Sequence, residues 1–171
     1  MFNIIVAMCK KSRGIVFKDK FKGLKGLKGL KRFNKLTIGA GNNSVIMCPN
    51  TWLSLPFGYT PLKHRENIVL SSIKNRLDLT DKGYLLNNME LLQDFCNKKK
   101  FDENWIIGGD EIYKRALEMG IVRNIYITEI NEEYEYDTFF PEIDYSYFEL
   151  ITRLEEDGSM IKKFAKKIKK V

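Results

Sequence analysis

Residues 105–117 read WIIGGDEIYKRAL. Together with Asn104 they open on a short aromatic and β-branched run, 104–108. The chain then turns on Gly108–Gly109 and continues as a helix-like stretch over 110–118. Strand, glycine turn and helix form the unit from which parallel sheets are built, because parallel neighbours need a crossover between them. Outward from this unit, 3–8 (NIIVAM), 45–48 (VIMC), 67–71 (NIVLS) and 124–130 (NIYITEI) are runs of the same kind bounded by turn formers. A further helix-like stretch, 88–98 (NMELLQDFCNK), has Asn88 as its candidate cap and Leu91, Leu92 and Phe95 at helical spacing. After Pro141, segments 145–153 and 159–168 read as a hairpin about Asp157–Gly158, adding an antiparallel edge. The sequence therefore predicts an α/β fold with a mixed sheet.

With 171 residues, 44% apolar and 12% aromatic, the chain can bury one sizeable core, which predicts a single domain over 1–171. No apolar run approaches the roughly 18 residues of a membrane span. The opening MFNIIVAMC lacks a basic leader and a small-residue cleavage site, so it reads as the first strand of an unsecreted, cytoplasmic protein with no membrane partner. Cys9, Cys48 and Cys96 are widely spaced, no C-x-x-C pair occurs, and His64 is the only histidine. Reduced, mostly buried thiols and no metal site are expected.

The net charge of +7 is unevenly distributed. Residues 1–40 hold eleven Lys/Arg against Asp19 alone, and 160–171 hold six Lys and no acid, which leaves 41–159 at −9. Such basic segments suit phosphate-rich partners, whereas a lysine-rich coding bias would leave merely solvated tails. The stretch 21–33, FKGLKGLKGLKRF, repeats Lys-Gly-Leu three times. A helix would place Leu24, Leu27 and Leu30 on one stripe and Lys22, Lys25, Lys28 and Lys31 on another. Its three glycines oppose that helix by roughly 1 kcal/mol each. Order is therefore expected only when the segment docks on something.

Five strings carry a resemblance: IIVAMCKKSRGI at 4–15, VIMCPNTWLSLP at 45–56, PLKHRENIVLSS at 61–72, WIIGGDEIYKRAL at 105–117 and IYITEINEEYEYDTFFPEID at 125–144. In order and spacing they resemble the dihydrofolate reductase family over about 140 residues. That resemblance implies a three-layer α/β fold with an eight-stranded, mostly parallel sheet flanked by helices. It also implies that NADPH and folate meet at the strands' carboxyl ends.

On the cofactor side the resemblance implies roles for Thr51, Ser71, Gly108 and Gly109, the glycines admitting pyrophosphate to the following helix N-terminus. Asp110 would repel phosphate unless its side chain caps that helix. Cys48–Pro49 stands where the family has glycine and then a basic residue that meets the NADP 2′-phosphate, so NADP affinity should fall. On the folate side the matching positions are Val6, Ala7, Phe33, Leu55, Arg65, Tyr113 and Thr128. Arg65 would clamp the folate glutamate α-carboxylate, although Glu66 beside it offers a plain surface ion pair instead. Asp137 and Thr138 match the loop that supports the family's active-site loop.

The family's catalytic carboxylate stands four residues before a phenylalanine, and counting back from Phe33 reaches Gly29. Counting forward from Gly14–Ile15 reaches Lys28, and Asp19 is the only acid in the region. No proline or tryptophan occurs between residues 15 and 48, where the resemblance calls for a Pro–Trp pair that closes the loop. Two expectations follow. One is a pseudoenzyme that has lost or weakened NADPH-dependent reduction and serves as a basic scaffold for RNA or a ribosome-like particle. Its contacts would come from 20–35 (Lys22, Lys25, Lys28, Lys31, Arg32, Lys35) and 160–171 (Lys162, Lys163, Lys166, Lys167). The other is an active, divergent dihydrofolate reductase that produces tetrahydrofolate with NADPH.

Overall fold

The computed structural model describes residues 1–15, 26–55, 59–72, 79, 81–132 and 138–168, with first-helix side chains described from Gly29 onward. Strand β1 (Phe2–Cys9) lies near the middle of the sheet, and its burial on both faces matches the apolar run of residues 4–9. The main path runs β5–β4–β3–β6–β1–β7–β10–β9. Here β3 is Ser44–Met47, β4 Glu66–Leu70, β5 Tyr84–Leu86, β6 Asn104–Gly108, β7 Val122–Ile130, β9 Phe148–Glu156 and β10 Ser159–Lys166. Every pairing from β5 to β7 is parallel, and the last two are antiparallel. This is the expected eight-stranded mixed sheet. The two-residue strands β2 (Gly14–Ile15) and β8 (Thr138–Phe139) pair with each other beside β1.

Alternation along β1 divides the core. Phe2, Ile4, Val6 and Met8 face α3 (Met89–Lys99) and α4 (Asp110–Glu118), meeting Leu92, Cys96, Ile112 and Tyr113. Ile5 packs on the other face, with Phe33 of α1 (Gly26–Ile38) and Trp52 of α2 (Pro49–Ser54). The result is three layers. Helix α4 spans the residues predicted for it. Helix α3 starts where predicted, with Asn88 Oδ1 accepting from Leu91 N at 2.8 Å. The β9–β10 hairpin turns on Asp157 and Gly158 at φ 51° and 79°, the left-handed pair that a two-residue turn requires.

Helix α1 departs from expectation. Residues 26–38 are helical despite Gly26 and Gly29. Those two glycines cost about 2 kcal/mol together. Burying Phe33, with Leu36 beside it, against Val45, Met47 and Trp52 contributes roughly 1.5–3 kcal/mol per side chain, so packing wins. Thr37 is also buried, and its hydroxyl donates back to Phe33 O at 2.7 Å. The C-terminal half of α1 thus supplies the docking that the repeat lacks. The earlier part of the repeat, with Lys22 and Lys25, lies outside the described residues.

Candidate functional site

Because β1, β3, β4 and β6 run parallel, their carboxyl ends share one edge of the sheet, and the segments that leave them converge there. Cys48–Asn50 follows β3, Ser71–Ser72 follows β4, and Gly108–Gly109 leads from β6 into α4. Cys48 N donates to Gly108 O at 2.9 Å, closing β3 against that turn. A Cβ on Gly108 would lie 2.7 Å from Thr51 Oγ1, and the same hydroxyl stands 3.3 Å from Cys48 Sγ. Only glycine permits this approach. Gly109 occupies the N-cap position of α4 with no side chain across the helix end, so Asp110 is the first helical residue and not the cap.

Ser71 and Gly109 line a cavity of about 1020 Å³, together with Cys48, Ser72, Asn87 and Thr138. Thr138 Oγ1 is buried there with no hydrogen-bond partner among the described residues. An unpartnered hydroxyl, a glycine cradle and an open helix N-terminus form a donor set suited to phosphate oxygens. Asp110 and Glu111, in the first turn of α4, oppose it in charge, and Arg115 one turn later lies on the favourable side.

On the opposite face of β1 from α3 and α4 a second group assembles. Arg65 Nη1 donates to Asn34 Oδ1 at 3.1 Å and to Thr37 Oγ1 at 2.9 Å, and Nε donates to Lys63 O at 2.8 Å. Its guanidinium carbon lies 6.0 Å from the Phe33 ring centroid. Burial pulls this arginine down to about 10, which leaves it cationic at neutral pH. No carboxylate pairs with it among the described residues, so the ion pair with Glu66 does not form. Asn34 and Thr37, which fix the arginine, were not singled out in the sequence, although both stand on the Phe33 face of α1 at helical spacing.

Tyr113 joins the two regions. Its hydroxyl donates to Ile5 O at 2.9 Å, and its ring meets Phe140 edge-on at 5.3 Å. Burial pushes the phenol far above its ordinary range, with Cys48 adding a smaller push in the same direction, so it stays a donor. Ala7 pairs with Thr128 across β1 and β7, on the Phe33 and Leu55 face. Val6 points the other way into the α3–α4 core, so only its backbone can serve the folate-side cleft. Gly29 lies in the first turn of α1, which contains no acid, one turn before buried Phe33.

The described cations of the two basic segments are divided between the faces of the sheet. Lys162 Nζ is 2.5 Å from Glu129 Oε1, while Lys163 lies over the Tyr126 ring at 5.3 Å. Lys166 donates to Gly120 O at 2.9 Å, and Arg32 pairs with Glu156. Lys31, Lys35 and Lys167 are exposed. The side chain of Lys28 lies outside the described residues, as do Lys22, Lys25 and Asp137. Among the described residues no cluster of His, Cys, Asp and Glu could hold a metal ion, and no helix is long and apolar enough to cross a membrane.

A three-layer α/β sheet with a glycine-lined cavity at its parallel strand ends, and an arginine held over a neighbouring cleft, defines the class. The family model described as dihydrofolate reductase matches residues 1–169, and the chain belongs to that family. It is 38% identical over 178 residues to the dihydrofolate reductase of Gallus gallus, covering 94% of this chain and 92% of the relative. It is 34% identical over 152 residues to that of Drosophila melanogaster, covering 87% and 84%. The viral dihydrofolate reductase of Saimiriine herpesvirus 2 is 35% identical over 131 residues, covering 70% and 59%.

Proposed function

We propose that this protein is an active, divergent dihydrofolate reductase that produces tetrahydrofolate with NADPH. The observation that carries the reading is Arg65: three hydrogen bonds and Phe33 hold a cationic guanidinium with no carboxylate of the described residues against it. A positioned cationic guanidinium whose Nη2 makes none of these bonds suits a ligand carboxylate such as that of the folate glutamate. Thr51, Gly108, Gly109, Ser71 and the Thr138 hydroxyl would hold the dinucleotide phosphates and ribose. When bound, NADPH supplies a hydride to dihydrofolate, and one proton completes tetrahydrofolate and NADP⁺.

The chain's own part is positioning. Tyr113 fixes the Ile5 carbonyl, an acceptor near the middle of β1, while Phe33, Leu55, Ala7 and Thr128 form the wall on which a flat ring can lie. Gly29 offers no carboxylate, so the proton comes from water at an open helix turn. Membership of a reductase family at high coverage, with Arg32, Lys162, Lys163 and Lys166 engaged internally, favours this reading over an RNA-binding scaffold. The test is NADPH oxidation with dihydrofolate, monitored alongside equilibrium binding of each ligand. Slow turnover with measurable folate binding is expected. Absence of both turnover and folate binding would return the chain to a scaffold.

A further inference from the structure

We propose that the dinucleotide cavity does not select for a 2′-phosphate, so that NADH binds at least as tightly as NADPH; this deepens the reductase reading and rests on it. With pyrophosphate at Gly109 and the start of α4, the nicotinamide half must run toward Tyr113 and the β1 end, where the folate-side cleft lies. The adenosine half then falls between the ends of β3 and β4 and the start of α3. Its wall is Pro49, Asn50, Ser72, Asn87, Asn88 and Glu90.

Hydroxyls and amides both donate and accept, which suits a ribose diol. A phosphate dianion is held best by cations, and this lobe supplies none among its described residues, only the neutral amides of Asn50, Asn87 and Asn88. Among the described residues Arg115 is the one cation lining the cavity, and it sits one turn from Glu111 on α4. The positive end of α3 is already met by the Asn88 side chain and by Glu90 in its first turn. Glu90, Asp110 and Glu111 against Arg115 leave the cavity lining with net charge −2. An added dianion is therefore repelled, while a neutral 2′-hydroxyl carries no such penalty.

The test is direct titration of the full chain with NADH and with NADPH, read by calorimetry or by quenching of tryptophan fluorescence, without folate. The expected result is an NADH Kd equal to or below that of NADPH. Placing a cation in the lobe, as Asn87→Arg or Glu90→Lys, should tighten NADPH by about tenfold and leave NADH within about twofold. Tenfold or tighter NADPH binding by the unmodified chain would overturn the proposal, as would variants that shift both dinucleotides equally. Failure of both dinucleotides to bind at millimolar concentration would instead overturn the reductase reading itself.

Discussion

On the proposed reductase reading, Gly29 stands where a carboxylate would deliver the proton. The residue is placed by Phe33, one helical turn later, whose burial sets the rotation of α1 whether or not an acid precedes it. A carboxylate installed there should meet the same cleft, so Gly29→Asp is expected to raise kcat/KM for dihydrofolate by about 10²-fold. The pH profile gives a second readout. With water as the proton source the unmodified chain's rate should fall steadily as pH rises, whereas the variant should hold a plateau set by its carboxyl. Unchanged rate and profile would mean that Gly29 does not face the reacting ring. Arg65 makes a separate prediction. Arg65→Lys keeps the charge but loses the planar fork and the Asn34–Thr37 clamp, so KM for dihydrofolate should rise about tenfold with kcat within about twofold. An equal fall in kcat would make the arginine part of transition-state positioning instead. At this scale the identity of Arg65 was readable from the sequence, because one residue type in one register suffices. Its partners Asn34 and Thr37 were not, since they stand about thirty residues away and meet it only through the packing of α1 on the sheet.

Elements with their own boundary chemistry were legible, and those defined by neighbours were not. Asn88 and the glycine pair Gly108–Gly109 mark the starts of α3 and α4 in the sequence itself. The six-residue α2 and the three-residue β5 carry too few turns or alternations for periodicity to register. Helix α1 was legible only as a segment that needs docking, because intrinsic propensity counts its glycines while the burial of Phe33 and Leu36 that orders it is tertiary. Helix α3 yields a prediction of its own. Cys96, buried against the sheet, is pushed up to about 11 from 9.0, chiefly by burial and against a hydrogen bond with Ser44. The folded state therefore holds this proton more tightly than the unfolded chain. Its contribution is fully present below pH 9 and is lost as pH rises from 9 to 11, up to about 2–3 kcal/mol in all. Denaturant melts of the unmodified chain and of Cys96→Ala should differ most near neutral pH and converge toward pH 11. A constant difference between them would show that the thiol titrates alike in the folded and unfolded chain.

Across the whole molecule, charge cannot be read by segment. The Lys-rich C-terminus reads in the sequence both as a hairpin strand and as charge for a phosphate-rich partner, and β10 lies between β7 and β9, inside the sheet path. Glu129 and Lys162 stand thirty-three positions apart, and only the antiparallel return of β10 along β7 brings their side chains to 2.5 Å. No spacing rule could have paired them. Their side chains are 10% and 24% exposed, so the pair is desolvated enough for the loss of one partner to strand a charge. Lys162→Met alone is expected to cost about 3 kcal/mol of global stability, because it leaves Glu129 ionised against the α3–α4 side of the core. Glu129→Gln with Lys162→Met should recover most of that loss, since two neutral side chains of similar volume need no counter-charge. The measurement is a double-mutant cycle by denaturant unfolding, with RNA binding followed in the same four proteins. A coupling near zero would make Lys162 a solvated surface lysine, free to serve a phosphate-rich partner. A coupling of about 2 kcal/mol or more, with no change in RNA association, would place its charge in the service of the fold.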